Sequence, residues 1–67
     1  NKAGWPDLTI CLPGGEVLFI ELKSAKGVLH KEQKQIKQQM LFLHHNYYVI
    51  KSYKAFLRAL IDHGTSL

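Results

Sequence analysis

The run Val17 to Leu22, VLFIEL, is apolar at both parities. Side chains alternate between the faces of a strand, so Val17 and Phe19 point one way while Leu18, Ile20 and Leu22 point the other. A strand with apolar side chains on both faces has to be covered on both, which requires a central position between two layers. A chain of 67 residues is one domain at most and buries only about 60% of its unfolded surface. Charge in such a strand needs a reason. Yet Glu21 interrupts the run, and Lys23 follows two positions later.

The neighbouring segments supply the layers. Leu8 to Leu12 reads as a strand, Pro13-Gly14-Gly15 as a turn and Glu16 to Lys23 as a second strand, together a hairpin. Ser24 to Val28 is a loop containing Gly27. From Lys31 to about His45 a helical stripe passes through Ile36, Met40 and Leu43, and Tyr47 to Ile50 is a short third strand. Ser52 is a good N-cap for a last helix with Phe56, Leu57, Leu60 and Ile61 inward, closed by Gly64. Strand, strand, helix, strand, helix is an α/β arrangement: a mixed sheet flanked by helices, in which the first helix carries the chain across and the strand from Tyr47 lies parallel to that from Glu16.

The hairpin register decides what the charges do. Glu21 and Lys23 share a face by strand alternation, and as a pair they read simply as an ion pair at a strand end. With a three-residue loop, Pro13 starting a type I turn and Gly15 left-handed, Leu12 pairs with Glu16. The same register sets Asp7 opposite Glu21, with Cβ atoms about 4.5 to 5.5 Å apart. Carboxylates so placed repel unless a cation lies between them. Lys23 brings one positive charge, and a divalent metal does better, because hard cations take carboxylate oxygens and keep positions open for water and phosphate. A two-residue Gly14-Gly15 turn would instead send Asp7 and Glu21 to opposite faces. Two acids around a metal with a lysine beside them are the parts of a phosphodiester-cleaving centre.

The remaining composition narrows the field. The net charge of +4 suits a polyanionic partner or a solvated basic face. Lys31, Lys34 and Lys37 lie along one flank of the first helix. The single Cys11 cannot form an internal disulfide and reads as a small core residue in a reducing compartment. His30 and His63 read as isolated, and His44-His45 as a pair at a helix end, so no histidine-cysteine metal pattern is present. No apolar run approaches the ~18 residues that cross a bilayer, and no signal peptide is readable. The expectation is a soluble, cytosolic protein. Because the chain opens at Asn1 rather than Met, it is expected to be processed or cut from something longer.

GWPDL (Gly4 to Leu8), then FIELK (Phe19 to Lys23), then Gly27 and Leu29 with Gln33 four residues on, resembles the virus-type replication-repair nuclease (VRR-NUC) domain of the PD-(D/E)xK superfamily, from Gly4 to about Ser52. The resemblance implies a single nuclease domain over residues 1–67 on a restriction-endonuclease-like core. It implies that Asp7 and Glu21 bind Mg²⁺ or Mn²⁺ with the Leu22 carbonyl as a further ligand, that Lys23 is the catalytic lysine, and that Gln33 assists from the helix. Such domains usually begin with a helix and another strand, whereas only Asn1, Lys2 and Ala3 precede Gly4. The segment is therefore expected to be removed, or the fold reduced and completed by dimerisation, in a host cytoplasm if phage-encoded.

Gln33 has two readings from the residues themselves. At about 100° per residue it falls on the inward stripe with Ile36 and Met40, which suits a role at the site. With His30 as N-cap it also holds the capping-box position and can bond back to the backbone. Function likewise has alternatives. The first is a structure-specific DNA endonuclease acting as a homodimer on branched or Holliday-junction DNA in phage or viral replication or repair. The second is an inactive nucleic-acid-binding module on the same fold. The third is a protein-interaction domain anchored by Tyr47, Tyr48 and Tyr53, residues that otherwise read as core.

Overall fold

The computed structural model describes residues 3–64; Asn1 and Lys2, with the expectation attached to the start of the chain, lie outside them. β1 (Leu8–Cys11), a 3-10 turn over Pro13–Gly15, β2 (Val17–Leu22), α1 (Lys31–Phe42), β3 (Asn46–Ile50) and α2 (Tyr53–Asp62) follow in that order. The chain is α/β, with a three-stranded mixed sheet ordered β1-β2-β3. β2 is central, antiparallel to β1 and parallel to β3.

Both faces of β2 are covered, as its two-sided apolar pattern demands. On one face Leu18 and Ile20, fully buried, pack with Ile50 and with Ala59 of α2, and Phe56 and Leu60 close around them. On the other, Ile36 and Met40 of α1 pack against Tyr47, joined by Phe19 and Val49. Glu21 points into this second layer and is buried there.

The helix ends explain two departures from the sequence reading. α1 stops at Phe42 because His44 takes a left-handed conformation (φ 64), letting its N–H bond Leu41 O and that of His45 bond Met40 O, a Schellman closure. Leu43, expected on the buried stripe, is turned out as the C-cap and is exposed. In α2, the Ser52 hydroxyl accepts the Ala55 N–H at 3.1 Å, and Gly64 (φ 84) closes the far end. The small Ala59 faces the sheet, so Leu57 moves to a half-buried flank and Ile61, expected inside, is exposed.

Other differences are local. The hairpin loop has both Gly14 and Gly15 at positive φ; Gly14 at φ 83, ψ 10 has the third-residue geometry of a type II rather than a type I turn. The loop length, and hence the register, is as expected. Cys11 is exposed rather than part of the core, because α1 packs over β3 and leaves that end of β1 open. His63 is not isolated: its Nδ1 pairs with Glu16 Oε1 and its Nε2 lies 2.6 Å from the Tyr48 hydroxyl, tying the end of α2 to the start of β2. Tyr47 is buried and Tyr48 half-buried, leaving Tyr53, stacked on Phe56, as the one exposed residue of the three tyrosines. No helix among the described residues is long and apolar enough to cross a membrane.

Candidate active site

The hairpin register runs from Cys11 opposite Val17 to Leu8 opposite Ile20, with Leu12 N donating to Glu16 O at 2.7 Å. One step beyond Leu8 it sets Asp7 opposite Glu21. Because hydrogen-bonded and non-hydrogen-bonded pairs alternate along an antiparallel ladder, Asp7 and Glu21 fall at a non-hydrogen-bonded pair, where side chains approach most closely.

Pro6 makes this edge unusual. The ladder ends at Leu8, the chain bends at Asp7, and Pro6 has no N–H with which to continue the pairing. The Leu22 N–H donates instead to Asp7 Oδ2 at 2.8 Å. Within a strand the N–H and C=O of one residue leave on the same side, and Lys23 sends its own N–H the other way, to Ile50 O at 3.0 Å. The Leu22 carbonyl therefore faces the Asp7 edge without a donor from Pro6. The Pro-Asp pair ends the ladder and replaces it with a carboxylate.

Glu21 is 2% exposed. Its Oε2 accepts from Gln33 Nε2 at 2.9 Å and lies 3.7 Å from Lys23 Nζ. Its Oε1 is buried without a hydrogen-bond partner. Burial pushes the Glu21 carboxyl above the ordinary carboxylate value, the neighbouring Asp7 carboxyl pushes it further, and Lys23 opposes them. The two acids thus feel one another across the sheet.

Gln33 caps α1 and also faces inward to Glu21. Its Oε1 accepts the His30 backbone N–H at 2.8 Å, which fixes the amide so that Nε2 faces Glu21. The same helix start is held against the acidic loop by Gly4 (φ 83). A Cβ on Gly4 would lie 2.5 Å from the Glu32 carbonyl and 2.8 Å from Gln33 N. Only glycine allows that approach, and Trp5, edge-on to Phe19 at 6.0 Å, extends the contact across the sheet.

Asp7, Glu21, Lys23 and Gln33 thus surround one end of β2, with the Leu22 backbone between the acids. The residue the sequence reading missed is Tyr47. Its hydroxyl is buried without a partner, and burial, then the charges of Glu21 and Asp7, raise its pKa. The signal was in the parallel register, which pairs Tyr47 with Phe19, two residues before Glu21 on the same face.

Among the described residues no cluster of three or more acidic, histidine or cysteine side chains forms, so a cation at this edge depends on Asp7 and Glu21. Two carboxylates and a backbone carbonyl are the all-oxygen donors that Mg²⁺ or Mn²⁺ takes while keeping several waters. Glu21 Oε1 is buried and unpaired, and the paired negative charges are what a divalent ion relieves. These residues fit such an ion. Comparison with protein-family models, with curated proteins and with solved structures finds no match to this chain.

Proposed function

We propose that the chain is a metal-dependent nuclease of the VRR-NUC type on a restriction-endonuclease-like core, hydrolysing DNA phosphodiester bonds. The observation that carries the reading is the meeting of Asp7 and Glu21 beside Lys23 and Gln33, with Glu21 Oε1 buried and unpaired. Asp7, Glu21 and the Leu22 carbonyl would hold Mg²⁺ or Mn²⁺; when bound, the ion supplies a Lewis acid for the phosphate and a lowered pKa for water. Lys23 orients or deprotonates the attacking water, or stabilises charge building on the phosphate oxygens. Gln33 positions Glu21. No element of the sequence reads as a base-specific reader, so the substrate is recognised through backbone and shape, as branched DNA allows. A homodimer belongs to the same proposal, since two sites related by symmetry suit paired strands and Leu8, Leu22, Tyr53 and Ile61 leave apolar surface to cover.

The test is cleavage of branched and linear DNA with and without Mg²⁺. Activity requiring the ion and lost in Asp7→Ala and Lys23→Ala supports the proposal, whereas undiminished activity in both variants removes it. A second reading, a binding module without catalysis, has its own support: Leu22 N–H, Gln33 and Lys23 give the two acids partners within the protein. Salt-sensitive DNA binding with no cleavage and no metal uptake by calorimetry selects it.

A further inference from the structure

A groove of about 530 Å³ runs between α1, the loop before it and the outer edge of β3. Lys34 and Lys37, three apart on α1, flank it with Lys51, and Val28, Leu41 and Val49 form its apolar lining. None of its lining residues is acidic. Lys31, the third lysine of the helix flank, does not line it.

The groove joins the candidate active site through the sheet. β2 and β3 pair in parallel register, Glu21 with Val49 and Leu22 with Ile50. One step further sets Lys51 beside Lys23 on the same face. Lys51, beside the Glu21-paired Lys23, therefore brings the positive charge of Lys34 and Lys37 up to the edge of the candidate site. Val49, the strand neighbour of Glu21, belongs to the groove itself.

We propose that this groove binds a single-stranded phosphodiester segment of the substrate next to the scissile phosphate, an inference that rests on the nuclease reading for its placement. Three lysines without a counter-acid match successive phosphates, and the apolar lining gives unpaired sugars and bases a surface to lie against. A duplex presents phosphates but keeps its base faces stacked, so it has nothing to set against Val28, Leu41 and Val49.

The experiment measures anisotropy of a labelled oligothymidylate, and of a duplex of equal length, against salt in metal-free buffer. For a single strand the slope of log K against log salt changes by about 0.7 per phosphate contact. The combined Lys34→Gln, Lys37→Gln and Lys51→Gln variant is expected to lose about 2 from that slope and at least roughly tenfold in affinity, with an unchanged melting curve. Neutralising Lys26, Lys54 and Arg58, which lie outside the groove, removes the same charge and is expected to leave the slope unchanged. An equal effect of both variants, no effect of the first, or tighter binding of the duplex overturns the inference. The outcome is separable from that of the nuclease proposal. Groove-dependent binding in a chain that never cuts upholds the groove and removes the nuclease, and cleavage with a groove-independent slope does the reverse.

Discussion

Gln33 bridges two parts of the molecule: it accepts from His30 at the start of α1 and donates to Glu21 at the end of β2. One amide serves helix and site together. Gln33→Ala is expected to cost about 1 kcal/mol of stability through the lost cap and, on the proposed nuclease reading, to slow cleavage about 10- to 100-fold through the lost support of Glu21 as the proposed metal ligand. Gln33→Glu keeps the capping acceptor but meets Glu21 with a like charge. Thermal melts and single-turnover kinetics should therefore show both stability and activity staying below the wild type in Gln33→Glu, despite the retained cap.

Glu21 makes stability depend on pH in an unusual direction. Its folded pKa is raised above 4.5, so the folded chain holds this proton more tightly than the unfolded one. The contribution is present below the ordinary carboxylate value and is lost as pH rises through the raised one. Glu21→Gln should remove that part of the slope and melt higher than the wild type at neutral pH. Added Mg²⁺ should raise the melting temperature of the wild type and leave Glu21→Gln nearly unmoved.

Tyr47 tests whether the unpaired polar atoms belong to the site. A buried hydroxyl without a partner costs about 1–3 kcal/mol, so Tyr47→Phe is expected to be neutral or stabilising in metal-free buffer. In the presence of Mg²⁺ and DNA the same variant should cut more slowly. A loss of stability above about 1 kcal/mol without metal would mean that the hydroxyl already has a partner in the folded chain.

Gly4 holds the acidic loop to α1. Gly4→Ala puts a non-glycine residue in left-handed backbone, at about 1–2 kcal/mol, and drives its Cβ into the Glu32 carbonyl. The loop should lift, taking Asp7 from the sheet edge. On the proposed nuclease reading, activity is expected to fall as far as in Asp7→Ala although every proposed catalytic side chain is intact, with the shift visible in the Trp5 fluorescence.

Element order and register were legible because they depend on local chemistry. The two-sided pattern of Val17 to Leu22 made β2 central, and the length of the Pro-Gly-Gly loop set Asp7 opposite Glu21 even though the turn type differs. What the sequence hid depends on contacts distant along the chain. His63 meets Glu16 and Tyr48 from the far end of the fold, and Cys11 is exposed because of where α1 lies, not because of its own neighbours. Leu43 and Ile61 carry helical periodicity but sit where one helix ends and the other turns away. Tyr47 looked like any core aromatic, since nothing local marks a hydroxyl that lacks a partner.

The bond from Leu22 N–H to Asp7 Oδ2 also gives the molecule an internal gauge. Every other amide of β2 that faces β1 answers to backbone, whereas this one answers to a side chain. Its hydrogen-exchange rate therefore counts how often the aspartate swings off the edge. A cation that competes for the same oxygen will alter that rate before any substrate is present, so one resonance can follow the arming of the site.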